Sequence, residues 1–535
     1  YVVVPHVMGI AIMSPRLDPH GNSVRAIEFC KRLFSRYRCG VFDSLVEESG
    51  SPRFAGESAV FSAFSRKTTR IRQTLSASSG TPSAHAEALK KYSKKKRGNK
   101  TGHDPHSTMA HRAHAYGYLY TVMKRMTRLC RSFHMYKIAG LGTPDDEDIA
   151  VELLDDIEVP GVAEGSVDSA FSLDTEHVEL SVVDLLGVLR WKGFRVHRRT
   201  FPILYSQLLR IMHNAARRGR RDYVIPSDVI LSGEKENLVT AALMGGLSMP
   251  TFHTFRRDVW ELFQIAKKTS NDGKVDPHVK RAMQPDEEAF AVAMCTTDGQ
   301  MLSYGSAATQ VPLMETVKPL LYALGLKDVG RRVLHSFVGK EPTAMDPSGF
   351  DLLPTTEPTP DQGAEEGGAE EMKDSEGEDS RETPSSEGII NHPSTHRRPN
   401  LMPYNPFVDS GTLAICAILG RAHLPRDQRT FGDLGGRFNH VITHITEWAG
   451  GRKIGYNNPM YLCKKSASLK VHAVSHYIKG MDVYPKTTMP SDNANFYHQC
   501  CSIQCSPTDL SVIAATFANH GVCPTTGVRC IDKSS

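Results

Sequence analysis

One segment constrains the fold more than any other. Ala289 to Thr296 alternates apolar and small residues, Asp298–Gly299 follows, and Met301 to Tyr304 supplies a second run. Alternation at period two is a strand signal. An Asp-Gly pair between two such runs is a strong hairpin signal, because tight two-residue turns require positive φ. The segment therefore predicts an antiparallel strand pair, with a helix near Glu315 to Gly325 after it.

Around this hairpin the chain divides by composition. Residues 1–45 read as a packed unit. Tyr1 to Met8 suits a buried strand and Ile10 to Met13 a second, and Pro15 to Gly21 has turn chemistry. Asn22 is a plausible N-cap for a helix with Val24, Ile27, Phe29, Cys30, Leu33 and Phe34 on its apolar side. Residues 46–107 lose apolar periodicity and read as a basic disordered linker. Its Lys90, Lys91, Lys94, Lys95, Lys96, Arg97 and Lys100 form one cationic block, either a solvated tail or an arm for RNA, acidic lipid or an acidic protein surface. Residues 108–250 read as a helical module: a basic amphipathic helix over 108–137, an acidic stretch from Asp145 to Asp184, then helical patterning that continues to 265. Residues 251–353 carry the hairpin and the helix after it. Residues 354–399 form an acidic disordered insertion, with twelve acidic residues from Glu357 to Glu387 against Lys373 and Arg381. Residues 400–535 are mostly helical by pattern.

Bulk properties exclude several classes. No run approaches 18 apolar residues, so no membrane span is expected. A net charge of +5 over 535 residues does not by itself imply nucleic acid. Cys500, Cys501 and Cys505 lack the paired spacing of a zinc site and read as reduced core thiols. His440 and His444 have no carboxylate between them as in HExxH, and read as surface or core residues. No metal and no cofactor is expected.

The chemistry centres on Glu315-Thr316-Val317-Lys318. Residues three apart on a helix share a face. In serine hydrolases of the penicillin-binding and glutaminase type, Ser-x-x-Lys at a helix start lets the lysine take the serine proton. From Thr251 to Arg529 the chain resembles mitochondrial-type glutaminases almost element by element. The resemblance rests on Cys295-Thr296-Thr297-Asp298-Gly299-Gln300, Val317-Lys318-Pro319-Leu320, Val338-Gly339-Lys340-Glu341-Pro342 and Asn405-Pro406-Phe407-Val408. Phe496-Tyr497-His498-Gln499-Cys500-Cys501-Ser502-Ile503 and Cys523-Pro524-Thr525-Thr526-Gly527 extend it. Asp184 to Phe263 is similar to the EF-hand-like module of the long glutaminases, without a calcium loop. Residues 1–45 resemble the piece that ends the family's catalytic domain, through Val3-Val4-Pro5-His6-Val7-Met8-Gly9 and Gly21-Asn22-Ser23-Val24. Here that piece stands first. A circular permutation, a fragment of a tandem repeat or a chain assembled out of order would each produce this.

The resemblance implies an α+β, β-lactamase/glutaminase-like fold: a five-stranded antiparallel sheet flanked by helices, plus a helical module. It aligns the serine nucleophile with Glu315, the general-base lysine with Lys318 and the catalytic tyrosine with Tyr497. His278 aligns with a substrate-positioning tyrosine, Asp409 with an asparagine, Lys464 with a glutamate that receives the substrate amino group, and Val471 with an asparagine. The family's second tyrosine and oxyanion segment fall in a stretch without counterpart here. A carboxylate at 315 cannot form the usual acyl-ester, Lys464 would repel an α-ammonium, and Val471 offers no side-chain hydrogen bond. The expectation is a catalytically inactive pseudoenzyme, a structural or interaction subunit of a large mitochondrial assembly such as a mitoribosome or a respiratory or ATP synthase complex. Its expected partners are protein subunits, RNA through Lys90–Lys100, and further copies of itself as a homo-oligomer. The alternative is an active glutaminase hydrolysing glutamine to glutamate and ammonia; a third reading is a glutamate- or amide-binding sensor. Lys318 is read first as the partner of Glu315, Tyr497 as a core tyrosine with one hydrogen bond, and His278 as an exposed loop residue.

Overall fold

The computed structural model describes residues 1–37, 180–217, 219, 223–224, 238–244, 247–249, 252–269, 272–343, 349–354, 401–419, 434–485 and 488–532. The basic linker at 46–107, the helix expected over 108–137 and the acidic run Glu357–Glu387 lie outside them.

The central sheet has four antiparallel strands: β1 (Val2–Val4), β2 (Met8–Met13), β3 (Ala291–Thr296) and β4 (Met301–Gly305), in that spatial order. The resemblance implied five; four are found among the described residues. The hairpin forms as read. Gly299, at φ 86°, makes the turn, and its N–H donates to the Thr296 carbonyl at 2.9 Å. The N-terminal strands join this hairpin: Met8 pairs with Thr296 and Met13 with Ala291, in continuous register. Residues almost 300 positions apart thus form the middle of one sheet.

All six residues of β3 are buried, so the strand is covered on both faces. Val4, Met8, Ile10, Val292 and Met294 pack against Phe29 and Leu33 of the helix Val24–Arg36 and against Val259 and Phe263 of the helix Phe252–Lys268. Fully burying a side chain of this size contributes about 1.5–3 kcal/mol. The other face carries small residues and lies on the helix Pro507–Ala518. There a Cβ at Gly9 would meet the Ala515 backbone nitrogen at 2.2 Å, so only glycine allows the strand to approach this closely. The N-cap of the first helix is Ser23, whose Oγ accepts from Ala26 N, rather than Asn22. Ser23 directly precedes the first helical residue, the position where a hydroxyl reaches an otherwise unpaired N–H.

A mainly helical lobe adjoins the sheet. The helices Lys318–Leu334, Asp409–Ile418, Leu434–Trp448, Leu469–Gly480 and Pro490–Cys501 share one core with Pro507–Ala518. Every residue of Asp409–Ile418 is buried. The helical module keeps a core of its own, built from Val182–Trp191, Pro202–Arg217 and Leu238–Met244. Its Phe201 ring lies where a Cβ on Gly299 would fall, 2.5 Å away, so the module packs directly over the hairpin turn. Among the described residues no helix is long and apolar enough to cross a membrane, and no group of His, Cys, Asp or Glu could hold a metal ion. The chain is α+β.

Candidate functional site

Glu315 lies in a 3-10 turn, Met314–Val317, that runs directly into the helix Lys318–Leu334. Met314 enters the turn at φ 50°, an uncommon conformation for a residue with a side chain. The Leu313 N–H donates to the Ile503 carbonyl at 2.7 Å and fixes the turn against the helical lobe.

Five of the seven residues singled out in the sequence converge here. Lys318 Nζ lies 3.2 Å from Glu315 Oε2 and 2.8 Å from Asp409 Oδ1, and donates to the Phe407 carbonyl at 3.1 Å. Lys464, from the helix Asn458–Ala467, donates to Glu315 Oε1 at 3.0 Å. The Tyr497 hydroxyl donates to Glu315 Oε2 in a short hydrogen bond. Local chemistry places each partner. Asn405 Oδ1 accepts from Phe407 N and Val408 N, turning the chain into the helix that begins at Asp409. Asn457 Oδ1 accepts from Met460 N and caps the helix that carries Lys464.

Two ammonium groups thus face two carboxylates. The side chains of Lys318, Asp409 and Lys464 are 10–12% exposed, whereas Glu315 keeps 53% of its side chain open to solvent. Burial pushes the Glu315 carboxyl up, but the charges of Lys464 and Lys318 and the hydrogen bonds from Tyr497 and Lys464 outweigh it and hold the group down at about 2. Burial alone would lower the Lys318 ammonium, but Glu315 and Asp409 raise it above its ordinary value. A lysine held this way keeps its proton at neutral pH and is a poor general base. Tyr497, raised by burial and then by neighbouring groups including Glu315, stays a protonated donor.

His278 and Val471 stand apart. No hydrogen bond joins either to this cluster among the described residues. His278 is not in an exposed loop: it is half-buried in the helix Pro277–Met283, with Asp276 Oδ1 accepting from His278 N at 2.8 Å. Asp followed by Pro is an N-cap and first-turn pair, and that signal was legible in the sequence. Val471 packs at the margin of the helical-lobe core. Two further groups lie nearby that no local sequence signal marks. The Asp276 charge acts on Lys464, and His498 is fully buried beside Tyr497 with no hydrogen-bond partner on either ring nitrogen. His440 pairs with Asp328 Oδ2 at 2.9 Å, and Cys500, Cys501 and Cys505 are buried free thiols.

The glutaminase family model matches residues 1–42, 273–357 and 382–535, more than half of the chain. The putative glutaminase 2 of Caenorhabditis elegans is 26% identical over 299 residues, covering 56% of this chain and 40% of that protein. The mitochondrial liver isoform of glutaminase from Rattus norvegicus is 25% identical over 290 residues, covering 54% and 39%. The chain therefore spans about two fifths of the length of these relatives. A solved structure of the probable glutaminase ybaS superposes with a TM-score of 0.38 at 15% identity, covering 53% of this chain and 72% of that one.

Proposed function

Because the chain belongs to the glutaminase family, we propose that it is a catalytically inactive member of it, a pseudoenzyme serving as a structural or interaction subunit of a larger mitochondrial assembly. The observation that carries this reading is the state of Glu315. At the position that the resemblance gives to the serine nucleophile stands a carboxylate held by Lys318, Lys464 and Tyr497. A Ser-Lys hydrolase needs a hydroxyl poised on a lysine able to take its proton. Here the hydroxyl is missing and the lysine is doubly paired. The Lys464 ammonium, raised in pKa in spite of burial by Cys501 and Glu315 among other neighbours, remains charged. It would repel the α-ammonium of an amino-acid substrate.

A mitochondrial relative supports the compartment, and the lysine-rich Lys90–Lys100 block supports protein or RNA contacts there. The test is native electrophoresis of solubilised mitochondria, with the protein detected immunologically. The reading expects a high-mass band of mixed composition. Migration only as a free monomer, dimer or tetramer of this chain, or absence from mitochondria, would overturn the subunit role.

A further inference from the structure

The helical module is the positive pole of the chain. Residues 182–249 hold eleven Lys and Arg against five Asp and Glu, a net charge of +6, whereas the whole chain carries +5. Ion pairing inside the module cannot remove that excess. Nine of the eleven cations are arginine.

The fold turns several of them outward. In the loop between the helices Val182–Trp191 and Pro202–Arg217, Phe194, Val196 and Phe201 are buried in the module core, which leaves Arg195, His197 and Arg199 exposed. His197 Nδ1 accepts from Arg199 N at 3.2 Å and Thr200 N at 3.4 Å, so the loop is ordered by its own hydrogen bonds. On the helix that follows, Leu204, Leu208, Ile211 and Ala215 are buried. Arg210, His213 and Arg217 recur at i, i+3 and i+7 on the opposite side. Arg195 Nη2 donates to Ser303 Oγ at 2.7 Å, a neutral acceptor, and no salt bridge among the described residues takes Arg195, Arg199 or Arg217. The module also presents an aromatic ring. Tyr223 is 48% exposed, while Val224 beside it is fully buried and the pair is held against Leu180–Ser181.

The guanidinium fork matches phosphate oxygens, and an exposed ring gives an unpaired base a surface to stack on. An anionic membrane fits less well, because the apolar side of Pro202–Arg217 is spent on the module core and nothing is left to insert. We propose that the helical module docks on single-stranded RNA, with Arg195, Arg199 and Arg217 on phosphates and Tyr223 against a base. The site is separate from the Lys90–Lys100 block and does not depend on the state of Glu315.

Fluorescence anisotropy of the full chain with a labelled oligouridine of about 20 nucleotides, between about 50 and 200 mM salt, tests this. The triple variant Arg195→Gln, Arg199→Gln, Arg217→Gln should bind at least about tenfold more weakly, with a log–log salt slope shallower by about 2. Tyr223→Ala should weaken binding at least about fivefold and leave the slope unchanged. Arg331→Gln with Arg332→Gln, exposed on the helix Lys318–Leu334 outside the module, should change neither. If the triple variant loses its fold by circular dichroism, Arg199→Gln with Arg217→Gln replaces it, and the expected change in slope is about 1. Three results would each overturn the assignment. The first is no binding at about 50 mM salt up to about 10 μM protein. The second is an unchanged slope in the arginine variant, which would put the RNA on Lys90–Lys100 or elsewhere. The third is displacement of the RNA by phosphatidylserine vesicles or by polyglutamate as readily as by unlabelled RNA.

Discussion

Lys464 Nζ donates to Glu315 Oε1 at 3.0 Å, across 149 residues of sequence. The contact joins the turn at the head of one helix to the last turn of another. If Glu315 and Lys464 stand where the family resemblance aligns them, a carboxylate in place of a hydroxyl meets an ammonium in place of a carboxylate. The pair acts as a clasp between the two helices.

Glu315→Gln should therefore destabilise the fold. Lys318 keeps Asp409, but Lys464, 12% exposed, loses its carboxylate. Exposed pairs contribute little and buried unpaired charges cost more, so with Glu315 half open to solvent the expected loss is about 1–2 kcal/mol. Urea unfolding at pH 7 measures it.

The same clasp sets a pH dependence. The folded Glu315 carboxyl sits at about 2, below its ordinary 4.5. Its contribution is thus present above about 4.5 and is lost as the pH falls from there towards 2. The unfolding midpoint should fall less steeply across this window in Glu315→Gln than in the parent chain. Identical slopes would remove Glu315 as the acid-sensitive group.

His498 adds to the loss of stability in acid, but through an unpaired imidazole and not through an ion pair. It is completely buried without a hydrogen-bond partner, and burial, then Lys464 and His472, push it down to about 3. Unfolding lets it take up a proton, so it costs stability increasingly as the pH falls below 6.5 towards 3. His498→Phe removes unpaired polar atoms from an apolar site and should stabilise by about 1–2 kcal/mol at pH 7, and by more at pH 5. Unfolding curves at the two pH values check both the sign and the trend.

Gly9→Ala should be among the most damaging single-atom additions to the sheet. The new Cβ would fall 2.2 Å from Ala515 N and 2.5 Å from Ser511 O, both backbone atoms that cannot rotate away. Overpacking of this kind costs about 1–3 kcal/mol or more. The shift of the denaturation midpoint measures it.

Local signals carried part of this architecture. The Asp298–Gly299 hairpin and the i to i+3 pairing of Glu315 with Lys318 both follow from short-range geometry and are present as read. The pairing of Met8–Met13 with Ala291–Thr296 is not a local property, and only the family resemblance pointed to it. Lys464–Glu315 and Lys318–Asp409 were equally invisible, because they depend on how three separate helices meet. Sequence spacing relates each of these residues to its own helix and says nothing of partners on another. His278 was misplaced because Pro277 was read as a loop former, although proline after a capping aspartate starts a helix.

Glutamine hydrolysis tests catalytic inactivity most directly. Ammonia release from L-glutamine should be measured with the purified chain, with Lys318→Ala and with Glu315→Ser. The parent chain has no hydroxyl at 315, and in Glu315→Ser the charged Lys464 still repels the substrate ammonium, so the expected rate equals the Lys318→Ala background in all three. Ammonia release by the parent chain that disappears in Lys318→Ala would contradict it.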